Sequence, residues 1–358
     1  MSNESDLKAA TTLLTPHEID RWQTSRDAHG SVRRLSLMRG DHSYDWYADQ
    51  VLAITKHLSA DRGGILESLE IAQFVPDAAR STGEDPPPIG EVLGPVAHSL
   101  TSLWLDVPNV GSGTLLGILY NLPKLREFTI YAPSIQKSQY KGETTQRGPF
   151  ATGKLGLFHL NVGGDNFIKQ LLQHEPLRYH EMALSHNKLI DSYNALINAS
   201  GSTLQSLTIR DIGKHTPISA INAQLRIPCS EERHFKRVHD HMSVVNCSEL
   251  SELAFCAGEI SEAKTTRMIT AVLSTVSSTK FEKLRISYQS VLDSDTVTAE
   301  ADSPEWDAVD EELVRIASES DHQIEVTFNS PPAGGSASIQ ASRFLSRFQE
   351  KGTVRFVS

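Results

Sequence analysis

Apolar residues recur along this chain in pairs, two positions apart. The first members are Leu35, Leu69, Leu103, Phe128, Phe158, Met182, Leu207, Leu253 and Leu284. The second members are Leu37, Ile71, Leu105, Ile130, Leu160, Leu184, Ile209, Phe255 and Ile286. Nearly every pair has another apolar residue three positions ahead of it, as Leu66 precedes Leu69 and Leu204 precedes Leu207. Such alternation predicts short strands with one buried face. Between the pairs, apolar residues follow a helical period: Val51, Leu52, Ile54 and Leu58; Leu115, Leu116, Ile118 and Leu119; Phe167, Ile168, Leu171 and Leu172; Met268, Ile269, Val272 and Leu273.

The fullest copy of the phrase runs from Tyr179 to Leu189, with Tyr179, Met182, Leu184, Asn187 and Leu189 in fixed places. It has the form of a leucine-rich repeat, a strand followed by a turn and a returning helix or coil. The spacing between central positions varies from 24 residues (Phe158 to Met182) to 46 (Leu207 to Leu253). A regular repeat of this kind spans about 20–29 residues, so the longer units carry full helices or inserted loops. Strands separated by helices imply parallel pairing through right-handed crossovers. The expected fold is therefore α/β: an irregular leucine-rich-repeat solenoid, or horseshoe, with a parallel concave sheet and outer helices.

Residues 1–30 are polar. Thr15-Pro16 reads as a helix start, with Leu13, Leu14, Ile19 and Trp22 as the sparse apolar positions of a capping segment. The repeat domain is expected over residues 31–358. Exposed insertions are expected at Pro76–Pro88, at the polar and Gly-rich Ser134–Lys154, and around Ile212–His241. Residues 293–312 are acidic and lack Lys or Arg, with Ser303-Pro304 starting a helix whose buried stripe is Trp306, Val309, Leu313 and Ile316. The closing units, over residues 322–358, are a strand (Ile324, Val326, Phe328), a helix (Phe344, Leu345, Phe348, ended by Gly352) and a last strand (Val354, Phe356).

The segments Pro16-His-Glu-Ile-Asp-Arg-Trp22 and Val32-Arg-Arg-Leu-Ser-Leu37 resemble the start of the repeat region in fungal, especially basidiomycete, F-box proteins. The segments Ser303-Pro-Glu-Trp-Asp-Ala-Val-Asp310 and Phe344-Leu-Ser-Arg-Phe-Gln-Glu-Lys-Gly352, followed by Thr-Val-Arg-Phe-Val357, are similar to their closing part. The resemblance is loose and rests on pattern across nearly the whole chain. It implies a substrate-recognition subunit of a cullin-RING (SCF-type) ubiquitin ligase, with a Skp-family adaptor and a cullin as partners. The F-box itself, about forty residues opening on a Leu-Pro-x-Glu-type motif, has no counterpart here. Leu14-Thr-Pro-His-Glu18 is only a faint echo of it. A free-standing protein-interaction scaffold is the alternative.

Composition narrows the function classes. The formal net charge of −10 disfavours nonspecific nucleic-acid or anionic-membrane binding. No apolar run reaches the roughly 18 residues of a membrane span. Three cysteines (Cys229, Cys247, Cys256) do not make a disulfide framework, which points to reduced thiols in the cytoplasm or nucleus. The cluster Gly111-Ser-Gly113-Thr-Leu-Leu-Gly117 follows a strand and opens a helix, where a nucleotide-binding loop would sit. Its spacing departs from the dinucleotide fingerprint, so a plain turn is expected and a nucleotide-binding enzyme is a remote alternative. His234, His239, Asp240 and His241 lack metal-ligand spacing and read as a solvated helix. No hydrolase elbow, phosphate-binding loop or His-Glu-x-x-His motif occurs. The expectation is a noncatalytic protein with no cofactor and no metal.

The residues between the apolar positions of each strand face away from the core. Stacking the units aligns Ser36, Glu70, Trp104, Thr129, His159, Ala183, Thr208, Ala254 and Arg285 in one column. The next column is Met38, Ala72, Asp106, Tyr131, Asn161, Ser185, Arg210, Cys256 and Ser287. Trp104, Asp106, Tyr131, His159, Asn161 and Arg210 are thus the candidate protein-binding residues on the concave face. Trp, Tyr and Arg are the types that most often anchor protein interfaces.

Overall fold

A computed structural model of the chain describes residues 11–14, 33–38, 44–60, 66–72, 92–138, 152–160, 162–174, 177–186, 189–211, 242–257, 262–288, 304–329 and 345–357. The fold is α/β, and the chain divides into two units, Met1–Glu175 and Pro176–Ser358.

The first unit contains β1 (Thr11–Leu14), β2 (Arg34–Met38), β3 (Ser68–Ala72), β4 (Ser102–Asp106), β6 (Glu127–Tyr131) and β8 (Thr152–Phe158). They lie side by side in that order, every pair parallel. The apolar pairs stack in register. Leu35, Leu69, Leu103, Phe128 and Leu155 form one buried row, and Leu37, Ile71, Leu105, Ile130 and Leu157 the next. Two short strands, β5 (Val110–Gly111) and β7 (Ile135–Gln136), make a separate parallel pair.

The starts of β3, β4 and β6 are each fixed by a shared acceptor. The Arg33 carbonyl takes the N–H groups of both Glu67 and Ser68, at 2.8 and 3.0 Å. The Glu67 carbonyl takes Thr101 and Ser102 at 2.8 and 2.9 Å, and the Thr101 carbonyl takes Arg126 and Glu127 at 2.7 and 3.0 Å. The helices α1 (Tyr44–Ala60), α2 (Ser112–Asn121) and α3 (Val162–His174) follow the predicted periods. Their inner stripes are buried: Val51, Ile54 and Leu58; Leu115, Leu116, Ile118 and Leu119; Phe167, Ile168 and Leu171.

Three expectations change in this unit. Phe158 and Leu160 are not the paired positions of their strand, since Leu155 and Leu157 occupy those places. The tract Leu155-Gly-Leu-Phe-His-Leu160 holds two apolar pairs of equal spacing, so alternation alone could not choose between them. The backbone chooses. The Lys154 N–H reaches the Arg126 carbonyl at 2.8 Å, and Gly153 takes φ 133°. A Cβ on Gly153 would lie 1.9 Å from that same carbonyl oxygen, so only glycine permits the approach. Second, Leu13 and Leu14 belong to a strand rather than to a capping helix, with Leu14 opposite Leu37. The open edge of β2 supplies unpaired backbone groups that a preceding strand can satisfy. Third, the stretch from Ser134 to Lys154, expected as an exposed insertion, contains β7, where Ile135 is buried, and the start of β8.

The second unit contains β9 (Arg178–His186), β10 (Ser206–Asp211), β11 (Glu252–Ala257), β12 (Lys283–Tyr288), β13 (Glu325–Asn329) and β14 (Thr353–Val357), again parallel and in order. Met182, Leu207, Leu253, Leu284, Val326 and Val354 face one another across the strands, as do Leu184, Ile209, Phe255, Ile286, Phe328 and Phe356. The rings of Phe328 and Phe356 stack at 5.1 Å. The helices are α4 (Ile190–Ser200), α5 (Glu262–Leu273) and α6 (Pro304–Glu319). The predicted stripe of α6 is buried throughout. Helix α4 has no counterpart among the predicted periods, and it buries Tyr193, Leu196 and Ile197.

Two side chains close helix and turn ends here. The Arg315 guanidinium donates to the carbonyls of Leu273 (2.9 Å) and Val276 (3.2 Å), at and just beyond the end of α5, where the Leu273 carbonyl also accepts the Val276 N–H at 3.0 Å. The buried Asp310 carboxylate accepts the N–H groups of Arg347 (3.1 Å) and Phe348 (2.9 Å). That second contact corrects another expectation. In place of a helix through Phe348, a 3-10 turn spans Phe348–Glu350, because the backbone donors of a continuing helix are held by Asp310. Phe344 lies outside the described residues, as do Thr15–Trp22, Pro76–Pro88, Ile212–His241, Asn187, Cys229 and residues 293–303. Among the described residues no helix is long and apolar enough to cross a membrane.

Leu207 is 0% exposed and lies between Met182 and Leu253. Leu207→Ala removes one member of this row and leaves a cavity. It should lower unfolding free energy by roughly 2–5 kcal/mol in urea titration.

Candidate functional site

The alternation that buries one face of each strand turns Trp104 to the other. Trp104 stands directly between Glu70 on β3 and Thr129 on β6, about 4.8 Å from each neighbouring strand. It is half-buried, and among the described residues no hydrogen bond or ring contact engages its indole. No ion pair engages Glu70 among them either.

Two positions along β4, on the same face, is Asp106. It is 6% exposed and lies opposite Tyr131. Burial, with the Asp106 charge as the second cause, pushes the Tyr131 phenol up to about 12. The phenol therefore stays protonated at neutral pH. The His159 ring lies against Tyr131, centroids 4.5 Å apart and planes tilted by 42°. Burial pushes the His159 imidazole down to about 4, so it carries no charge at neutral pH. The backbone at this end is pinned by Val107 N–H donating to the Tyr131 carbonyl (2.9 Å) and by Ala132 N–H donating to the Phe158 carbonyl (3.1 Å).

His159 is beside Tyr131 but not in the column with Trp104. It follows β8 in the left-handed region, with φ 55°, an uncommon conformation for a residue with a Cβ. The residue opposite Thr129 is Gly156. A Cβ there would meet Thr129 Oγ1 at 2.8 Å, Thr129 Cγ2 at 2.9 Å and Phe158 Cε2 at 3.2 Å, so the Phe158 ring fills the space that a longer side chain would need. Asn161 lies outside the described residues.

Arg210 belongs to the second unit, where it is exposed on β10 and hydrogen-bonds to Cys256 opposite it. Burial raises the Cys256 thiol, and the Arg210 charge pulls the other way. Cys247 and Cys256 are both free thiols. The polar residues of this second face engage one another. Arg285 meets Glu252 at 3.0 Å and Arg355 meets Glu325 at 3.4 Å, while Asn329 donates to Ser287 at 3.0 Å.

The Gly111–Gly117 loop is closed by its own chain. Ser138 Oγ accepts the Gly113 N–H at 2.8 Å, and the Ser112 hydroxyl donates to the Ser138 carbonyl at 2.7 Å. Asn166 and Gln170 from α3 donate to Ser112 Oγ at 2.9 and 3.3 Å. A phosphate seated on the first amides of α2 would have to displace Ser138. The histidines between His234 and His241 lie outside the described residues, among which no His, Cys, Asp or Glu group could hold a metal ion.

No protein-family model and no curated protein matches this chain. The site is therefore read from its chemistry alone. Among the described residues it offers an unengaged indole donor, a half-buried carboxylate with no ion pair beside it, a buried carboxylate two residues on, and a Tyr–His ring pair. Glu70 had a visible signal in the sequence, its place next to Trp104 in the column. Gly156 had none that alternation could resolve.

The low His159 value has a pH consequence. An unfolded histidine takes up a proton near 6.5, whereas the folded one resists until about 4. Stability should be insensitive to this group above about 6.5, fall as pH drops towards 4, and then level. Denaturant titrations at pH 7.5 and 4.5 should differ more for the native chain than for His159→Gln.

Proposed function

We propose that this chain is a noncatalytic protein-recognition module, organised as an irregular leucine-rich-repeat solenoid. In this reading it holds the substrate of an SCF-type ubiquitin ligase in the cytoplasm or nucleus, joined to the cullin through a Skp-family adaptor. The observation that carries the recognition role is Trp104, a large aromatic side chain placed on an outward sheet face with its indole unengaged among the described residues. A stability role would bury the ring and give its N–H an acceptor. The recurring strand phrase and its in-register rows support the solenoid reading. The ligase connection rests on the resemblance of the chain's two ends to F-box proteins.

A second reading keeps the recognition face and drops the ligase. The nearest echo of an F-box opening begins at Leu14, and Leu14 is paired with Leu37 in the sheet. Strand pairing holds that residue in the parallel sheet. The protein would then be a free-standing scaffold.

A pull-down from fungal lysate with the intact chain and with Trp104→Ala, read by mass spectrometry and probed for adaptor and cullin, separates the readings. The ligase receptor recovers adaptor and cullin with both chains and loses other proteins with Trp104→Ala. The scaffold shows the same loss and recovers no adaptor. Identical protein sets from two equally well-folded chains would sink the recognition face.

A further inference from the structure

The outward faces of the two units differ in how their charges are held. On the second, Arg285 and Arg355 are each paired with a glutamate of a neighbouring strand. On the first, Lys154 approaches Glu127 at 3.9 Å, and Glu70 meets no cation among the described residues. Glu70 is directly beside Trp104, and Asp106 is two residues further along the strand. Tyr131, opposite Asp106, adds a second ring diagonal to the indole. The neighbouring His159 is neutral at pH 7 and does not oppose a positive charge there.

We infer that the Trp104 face takes a basic segment of a protein partner, with an arginine or lysine side chain lying over the indole and its charge against Glu70. This rests on the recognition role proposed above and specifies its partner. An aromatic face attracts a cation through its quadrupole, and adjacent carboxylates strengthen the attraction. The indole N–H, unengaged among the described residues, can donate to a backbone carbonyl of the same segment. The chain's net charge of −10 favours approach of a basic partner. An acidic partner would bring like charge against Glu70.

The test uses fluorescein-labelled nona-arginine and nona-glutamate peptides with the intact chain at about physiological ionic strength, read by fluorescence anisotropy. Nona-arginine should bind and nona-glutamate should not. Glu70→Lys should weaken nona-arginine binding about tenfold or more, and Trp104→Ala roughly fivefold. Glu350→Lys, which makes the same charge change at an exposed turn of the second unit, should change it less than about twofold. Glu70→Gln, a milder change, should weaken it in the same direction and covers the case in which the lysine variant misfolds.

Absence of nona-arginine binding overturns the inference, as does an equal loss in Glu70→Lys and Glu350→Lys, which would be unspecific charge attraction. Self-association of the chain abolished by Trp104→Ala overturns it too, because the occupant would then be a second copy. In each case the recognition role stands or falls separately, on whether Trp104→Ala still captures the same proteins from lysate.

Discussion

In each unit a backbone carbonyl at the start of one strand accepts two N–H groups from the start of the next, as Gln205 does for Ser251 and Glu252, and Ser251 for Glu282 and Lys283. This shared acceptor sets the register of the parallel strands. A slip of one residue would turn every leucine of a strand outward and every polar residue inward. Hydroxyls reinforce the same points. Thr101 Oγ1 donates to the Glu67 carbonyl and Ser251 Oγ to the Gln205 carbonyl. Each bond is worth about 1 kcal/mol net, but together they leave little freedom in how one strand meets the next.

Fixed register makes the outward face a defined surface. Trp104 meets Glu70 on one side and Thr129 on the other because the rows of leucine beneath them are aligned. The same constraint places Arg285 near Glu252 and Arg355 near Glu325 in the second unit. These exposed pairs contribute little to stability. Their effect is to neutralise charge on that face, whereas on the first unit the Trp104 indole and the Glu70 carboxylate are unengaged among the described residues.

Polar side chains complete what regular structure leaves unsatisfied. Arg315 takes the Leu273 and Val276 carbonyls around the end of α5, Asp310 takes the N–H groups of Arg347 and Phe348, and Ser138 takes the Gly113 amide of α2. Each substitutes for water at a buried backbone group, where an unmet bond would cost about 1–3 kcal/mol. The Ser138 contact also gives the glycine-rich loop a structural purpose, the docking of the small β5–β7 pair against α2.

Strand and helix positions were largely legible in the residues themselves. A period of two residues or 3.6 residues is a local property, and Leu35, Leu69, Leu103 and Leu207 declare it wherever they fall. The stripe of α6 was readable for the same reason, as were Trp104's outward direction and its adjacency to Glu70. Choices between locally equivalent alternatives were not readable. Leu155 and Phe158 head equally good apolar pairs, and the bond from Lys154 to Arg126, the residue just ahead of β6, selects the first. That selection moves His159 off the column and puts Gly156 in its place. The strand at Leu13–Leu14 and the turn at Phe348 were likewise decided by partners remote in sequence, the edge of β2 and the Asp310 carboxylate. Sequence thus determined which face of each element is apolar, because that depends on neighbours along the chain. Tertiary structure decided which residues sit opposite one another, because that depends on backbone groups dozens of residues apart finding the same acceptor.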